Sequence, residues 1–176
     1  MNTLEAIMKR SSVRTFSDRP ISDEDLHTML LAAMSGPSCA NTRDWSFIVL
    51  RDKDIINKVA DGNGAYAQPL RNASLGVLVC GDASRAYSKA KEYWVVDGAI
   101  AAENMILAAM ELGIGSCWLG TYPQMERVEA QIKLFNLPEH IIPHSVIAFG
   151  YPDEQAMKTP GREKFYEEDR VHFDKW

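Results

Sequence analysis

The sequence predicts a layered domain of mixed α+β or α/β class, and three observations carry that expectation. Four to five short apolar or β-branched runs recur along 176 residues. Segments with helix caps and helical spacing alternate with them. The length suits one domain spanning residues 1–176, with enough chain to bury a sizeable core. No internal repeat and no low-complexity segment is present.

Each element follows from local chemistry. Asn2 precedes Thr3-Leu4-Glu5 as an N-cap with Glu at the third position, so residues 3–10 read as a short helix. Ser22 caps a second helix. Asp23, Glu24 and Asp25 suit its positive end, Ile21 can staple to Leu26, and Gly36-Pro37 stops it after Ser35. Trp45–Leu50 is aromatic and β-branched, hence a strand. Residues 53–60 read as helical, and Asp61-Gly62-Asn63-Gly64 as a turn. Leu75–Cys80 is a buried strand, with Cys80 a core thiol. Tyr93–Leu112 is a helix apolar on nearly every face, which suits a central position or a subunit contact. Asp97, Asn104 and Glu111 recur every seven residues on one stripe of it, and Gly113 and Gly115 supply the stop. Residues 114–119 and 145–149 read as further strands. From Asp153 onward half of the residues are charged, a composition suited to wrapping a surface.

Composition removes several classes. Apolar residues make up 46% and charged residues 24%, as in a globular protein. No 18-residue apolar run exists, so no membrane span is expected, and the opening residues do not read as an export signal. The cytoplasm is therefore the expected address. A net charge of −5 argues against a nucleic-acid partner. Three widely spaced cysteines, Cys39, Cys80 and Cys117, form no CxxC pair.

Several motifs fail on spacing. Gly113-Ile114-Gly115 lacks the third glycine of a dinucleotide fingerprint, because Trp118 stands there, and it follows a helix where a strand is required. No phosphate-binding GxxxxGK[ST] loop is present. His140 and His144 are four apart, but Pro143 disfavours the helix that metal binding at this spacing needs, so no metal site is expected. No G-x-S-x-G elbow supports a serine hydrolase.

Two segments carry chemistry. Lys9-Arg10-Ser11-Ser12-Val13-Arg14 is either a solvated basic patch at a helix end or an anion site. Two guanidinium forks and two hydroxyls within five residues are what one phosphate group requires. Pro37-Ser38-Cys39-Ala40-Asn41 is either a plain connection or a polar loop whose amides and side chains meet a planar heterocycle.

Together these residues resemble the flavin-dependent nitroreductase family. The motifs fall in order along the chain: Arg10 to Phe16, Gly36 to Asn41 followed by Trp45, the Asp97–Leu112 helix, Gly113 to Gly120, and Gly150-Tyr151-Pro152 followed by Arg162. The resemblance implies a three-layer α/β/α sandwich around a central mixed sheet, with a C-terminal extension wrapping a partner subunit. It implies a homodimer with FMN at the interface, NAD(P)H as hydride donor, and a nitroaromatic, quinone or similar electron-poor acceptor in ping-pong turnover. Arg10, Ser12 and Arg14, with Ser11 beside them and Arg162 from the tail, would hold the FMN phosphate. Pro37, Ser38, Cys39 and Asn41 would reach the ring from the other subunit. Trp118, Leu119 and Gly120 would line its other side, and a further contact would come from residues 66–68. Tyr93 and Trp94 are candidate aromatic walls over the substrate, or ordinary packing. No catalytic acid or base stands out. A flavin-binding store or sensor without turnover is the alternative. The chain departs from the family pattern at Arg43-Asp44, where Gln-Pro is usual. Losing the proline should leave the loop less fixed, and Arg43 adds a cation near the expected substrate mouth unless Asp44 neutralises it.

Overall fold

The computed structural model describes residues 2–158 and 165–176. The elements run α1 (Thr3–Lys9), α2 (Asp23–Met34), β1 (Trp45–Leu50), α3 (Lys53–Asn63), α4 (Gln68–Arg71), β2 (Leu75–Asp82), α5 (Trp94–Glu111), β3 (Gly115–Gly120), α6 (Met125–Phe135), β4 (Ile141–Gly150) and α7 (Glu154–Lys158). The two expected caps form. The Asn2 side chain accepts from the Glu5 amide at 2.9 Å, and the Ser22 hydroxyl from the Asp25 amide at 3.0 Å. α3 runs past the expected turn at Asp61 and stops only at Gly64, whose φ of 83° a side chain would resist.

The four strands form one sheet in the order β1-β2-β4-β3, and every neighbouring pair is antiparallel. This corrects the expected mixed sheet. β2 and β3 run in the same direction, but β4 lies between them, so they never pair. The one parallel pairing among the described residues is an isolated bridge between Ser12 and Ser116.

Three layers follow from strand alternation, because successive side chains face opposite sides. Val77, Val79, Ile147 and Phe149 pack with Met29 and Ala33 of α2 and with Ala101, Ala102, Met105 and Ala109 of α5. Leu78, Cys80, Val146 and Ala148 pack on the opposite face with Ile56, Val59 and Ala60 of α3 and Leu70 of α4. Burial pushes the Cys80 thiol up to about 12, as suits an inert core thiol. The charged stripe of α5 turns toward α2 and the loop after it. Asn104 donates to the Ala32 carbonyl at 3.3 Å, and Asp97 is buried beneath Cys39.

Candidate functional site

Residues 12–16 strap the ends of β3 and β4. The Val13 amide donates to the Ser116 carbonyl at 2.8 Å, and Phe16 bridges Pro152. A side chain at Gly115 would lie 2.8 Å from Val13, and one at Gly150 would lie 2.8 Å from Phe16. These glycines therefore serve close backbone packing of the strap, which explains why the glycine run here is no dinucleotide motif. In the extended strap, alternate side chains face opposite ways. Val13 packs against the core, while Ser12 and Arg14 are exposed.

Two cavities flank this strap. One of about 280 Å³ lies between Lys9, Arg10 and Ser11 on one side and Ile114, Gly115 and Ser116 on the other. Arg10 also stands 3.8 Å from Glu103 of α5. The second, of about 190 Å³, is lined by Arg14, Asn63, Tyr66, Trp118, Gly120 and Arg127, among others. Arg14 thus lines the second cavity and not the first, where the resemblance groups it with Arg10 and Ser11. Its charge also acts on Cys117, against the stronger effect of burial, which raises that thiol.

The floor of the second cavity is built around one carbonyl. Gly120 O accepts from Arg127 Nη1 at 2.7 Å and from Asn63 Nδ2 at 3.2 Å. Thr121 Oγ1 donates in turn to Asn63 Oδ1 at 2.8 Å, so the buried amide is fixed at both ends. A Cβ at Gly120 would meet nothing within 4 Å, which leaves open space beside the backbone at this point. Among the described residues neither Arg14 nor Arg127 has an ion-pair partner, and no carboxylate lines the cavity. Two guanidinium groups on one small, acid-free cavity form an anion-favouring field. Sequence reading missed both Asn63 and Arg127. Asn63 reads as a turn residue. Arg127 lies on α6, whose signal was present as Val128, Ile132 and Phe135 at helical spacing.

Trp118 is 37% exposed at the rim, edge-on to His144 at 5.7 Å. His144 is buried, which lowers its pKa, and its Nδ1 lies 3.0 Å from Ser145 Oγ. Trp94 packs edge-on to Tyr122 and His144 and lies directly under Gly81, where a Cβ would come within 2.4 Å of its ring. Within one chain, Trp94 is thus a packing residue, while Tyr93 is half exposed.

The Pro37–Asn41 loop lines neither cavity. Cys39–Asn41 makes a tight turn with positive φ at Ala40, Asn41 and Arg43. The Cys39 amide donates to both carboxylate oxygens of Asp97, at 2.9 and 3.1 Å, and the Arg43 amide donates to Ser38 Oγ at 2.9 Å. Side-chain and acid anchors therefore hold the loop where a proline was expected to be needed. Asp44 turns inward and is fully buried, so it does not neutralise Arg43. Arg43 lines a separate open groove with Phe47, Met34 and Arg85. Arg162 lies outside the described residues.

An antiparallel sheet between two helical layers, with a cation-lined cavity at the edge strand, makes an α+β domain with a site suited to an anionic ligand. The chain belongs to the Nitroreductase family, whose sequence profile matches residues 7–65 and 61–151. It is 41% identical over 176 residues to a protein of Methanothermobacter thermautotrophicus provisionally named an NADH dehydrogenase/NAD(P)H nitroreductase, a match that covers 100% of this chain and 88% of that one. A crystal structure of a likewise named protein from Parabacteroides distasonis superposes with a TM-score of 0.89 at 34% identity and covers 100% of both chains. An FMN-dependent nitroreductase of Clostridium difficile gives a TM-score of 0.84 at 27% identity, covering 98% of this chain and 99% of that one. Among the described residues, no helix is long and apolar enough to cross a membrane.

Proposed function

We propose that this protein is an FMN-dependent NAD(P)H oxidoreductase that reduces nitroaromatics, quinones or similar electron-poor acceptors in the cytoplasm. The observation that carries the reading is the acid-free cavity beside Trp118–Gly120, with Arg14 and Arg127 facing it and an open flank at Gly120. Uncompensated cations at a cavity suit an electron-rich, partly anionic group such as a flavin phosphate or pyrimidine edge. The fit supports FMN. Arg10, Ser11 and Ser12, with Arg162, would hold the phosphate through charge-assisted hydrogen bonds, and Arg14 would extend from that cluster toward the ring. Trp118, Leu119 and Gly120 would flank the ring, and Tyr66 is the residue of the 66–68 segment that reaches the cavity. When bound, FMN supplies two-electron hydride chemistry. The chain's own residues bind, orient and shield, and no side chain is assigned as acid or base.

The reading includes a homodimer with Pro37, Ser38, Cys39 and Asn41 serving the partner's FMN. Support comes from apolar surface left open on a single chain. Leu4, Met8 and Leu31 are more than half exposed on α1 and α2, and so are Phe165, Tyr166, Phe173 and Trp176 in the terminal segment. Surface of this kind marks an interface. Arg43 and Tyr93 would meet the acceptor. The test is the purified protein loaded with FMN and mixed anaerobically with NADH or NADPH. Bleaching of the flavin bands, and recovery on adding a nitroarene or quinone, is the expected result. A protein that takes up no FMN overturns the reading, and one that binds FMN without bleaching is a store or sensor.

A further inference from the structure

Arg127 stands apart from every motif in the sequence. It projects from α6, the element that sequence reading overlooked, and its guanidinium is set by a 2.7 Å hydrogen bond to the Gly120 carbonyl. A Cβ placed at Gly64, at the end of α3, would lie 3.8 Å from the same group, so the guanidinium rests against the end of that helix. Asn63 already donates to the Gly120 carbonyl. The arginine is therefore not needed merely to satisfy that acceptor. A guanidinium carries five N–H donors, and the Gly120 carbonyl uses one of them. No carboxylate pairs with it among the described residues, and Arg14 lines the same cavity.

We infer that Arg127 is a redox-tuning residue of the flavin pocket: its fixed, unpaired charge stabilises the negative charge that the ring gains on reduction. The inference rests on the FMN reading above. NAD(P)H gives up one hydrogen with two electrons and leaves as NAD(P)⁺, so the ring takes on one unit of negative charge. A cation fixed at the cavity before this happens favours the reduced ring without any cost of reorganisation. Arg127 would thereby raise the ease of reduction, and Arg14 would act in the same direction. This is a positioning and electrostatic role, distinct from holding the phosphate.

The test compares the FMN-loaded wild-type protein with Arg127→Gln and Arg127→Lys, by dye equilibration at fixed pH and ionic strength and by titration of FMN affinity. Arg127→Gln should lower the equilibrium constant for flavin reduction roughly tenfold, which is about 30 mV for a two-electron couple. Arg127→Lys should retain most of the wild-type potential, because the charge is kept. Should the glutamine variant fail to fold, Arg127→Met gives the same comparison. A wild-type potential in the uncharged variant, with FMN bound, overturns the inference and leaves the flavin reading intact. Equal lowering by Lys and Gln also overturns it, since shape and not charge would then matter. A wild-type protein that binds no FMN overturns both.

Discussion

Asp44 and Asp97 form a buried acid pair behind the Cys39–Asn41 turn. Asp97 is 2% exposed and accepts the Cys39 amide through both oxygens; Asp44 is fully buried, and neither of its oxygens has a hydrogen-bond partner. Two carboxylates hydrogen-bond to each other only through a shared proton. Burial, with the Asp97 carboxylate beside it and Asp82 nearby, pushes Asp44 up to about 6.

The sign of the resulting pH dependence follows from linkage. An acid whose pKa is raised on folding stabilises the native state fully below its ordinary value of 3.8, and that contribution is lost as pH rises through about 6. Stability should therefore fall between about pH 4 and 7 by up to about 3 kcal/mol from this group. Asp44→Asn, whose amide N–H can donate to Asp97 at any pH, should flatten that slope and melt higher than wild type at pH 7.5. Melting curves of the FMN-free protein across this range decide it, and an unchanged slope in the variant removes the acid pair as its source.

The phosphate cluster predicts a selective loss. One charge-assisted hydrogen bond contributes about 1.5–3 kcal/mol, so Arg10→Ala should weaken FMN binding roughly ten- to a hundredfold. Riboflavin, which has no phosphate, should bind the variant almost as it binds wild type. Equal losses for both flavins in a fluorescence titration would mean that Arg10 acts through structure, for example through its contact with Glu103.

Two glycines of one strand should respond differently to the same substitution. An alanine methyl at Gly115 would press on the Val13 side chain at 2.8 Å, and such overpacking costs about 1–3 kcal/mol. At Gly120 the methyl meets no atom within 4 Å and projects into open space. Gly115→Ala should therefore lower the melting temperature, while Gly120→Ala should change it little and weaken FMN binding. Calorimetry with a parallel FMN titration separates the two; a large loss of stability in Gly120→Ala would refute the open flank.

Flavin binding and assembly should be linked. A ligand held by both subunits stabilises only the dimer, by about 2.7 kcal/mol at a hundredfold excess over Kd. The loaded protein should scatter light as twice 19.7 kDa, and its melting temperature should rise with protein concentration. A loaded monomer at micromolar concentration would contradict the assignment of Pro37, Ser38 and Asn41 to the partner's site.

The helices α1, α2, α3 and α5, the four strands in their order, the caps at Asn2 and Ser22, and the apolar character of α5 were determined by the sequence alone. Their signals are local: a capping side chain meets an amide three residues away, and burial shows as the spacing of apolar residues. The basic-serine cluster was legible for the same reason, since its residues are neighbours in the chain. Only the tertiary structure decided that the strands pair in the order β1-β2-β4-β3 and wholly antiparallel, because pairing is a choice among partners that each strand's own pattern leaves equal. It alone brought Asn63 of α3 and Arg127 of α6, with α4, β2, α5 and β3 between them in the chain, onto the Gly120 carbonyl, and it alone turned Asp44 inward onto Asp97 instead of toward Arg43. Contacts between residues more than fifty positions apart carry no local signal. They arise when packing of the two apolar faces of the sheet fixes where each helix end must lie.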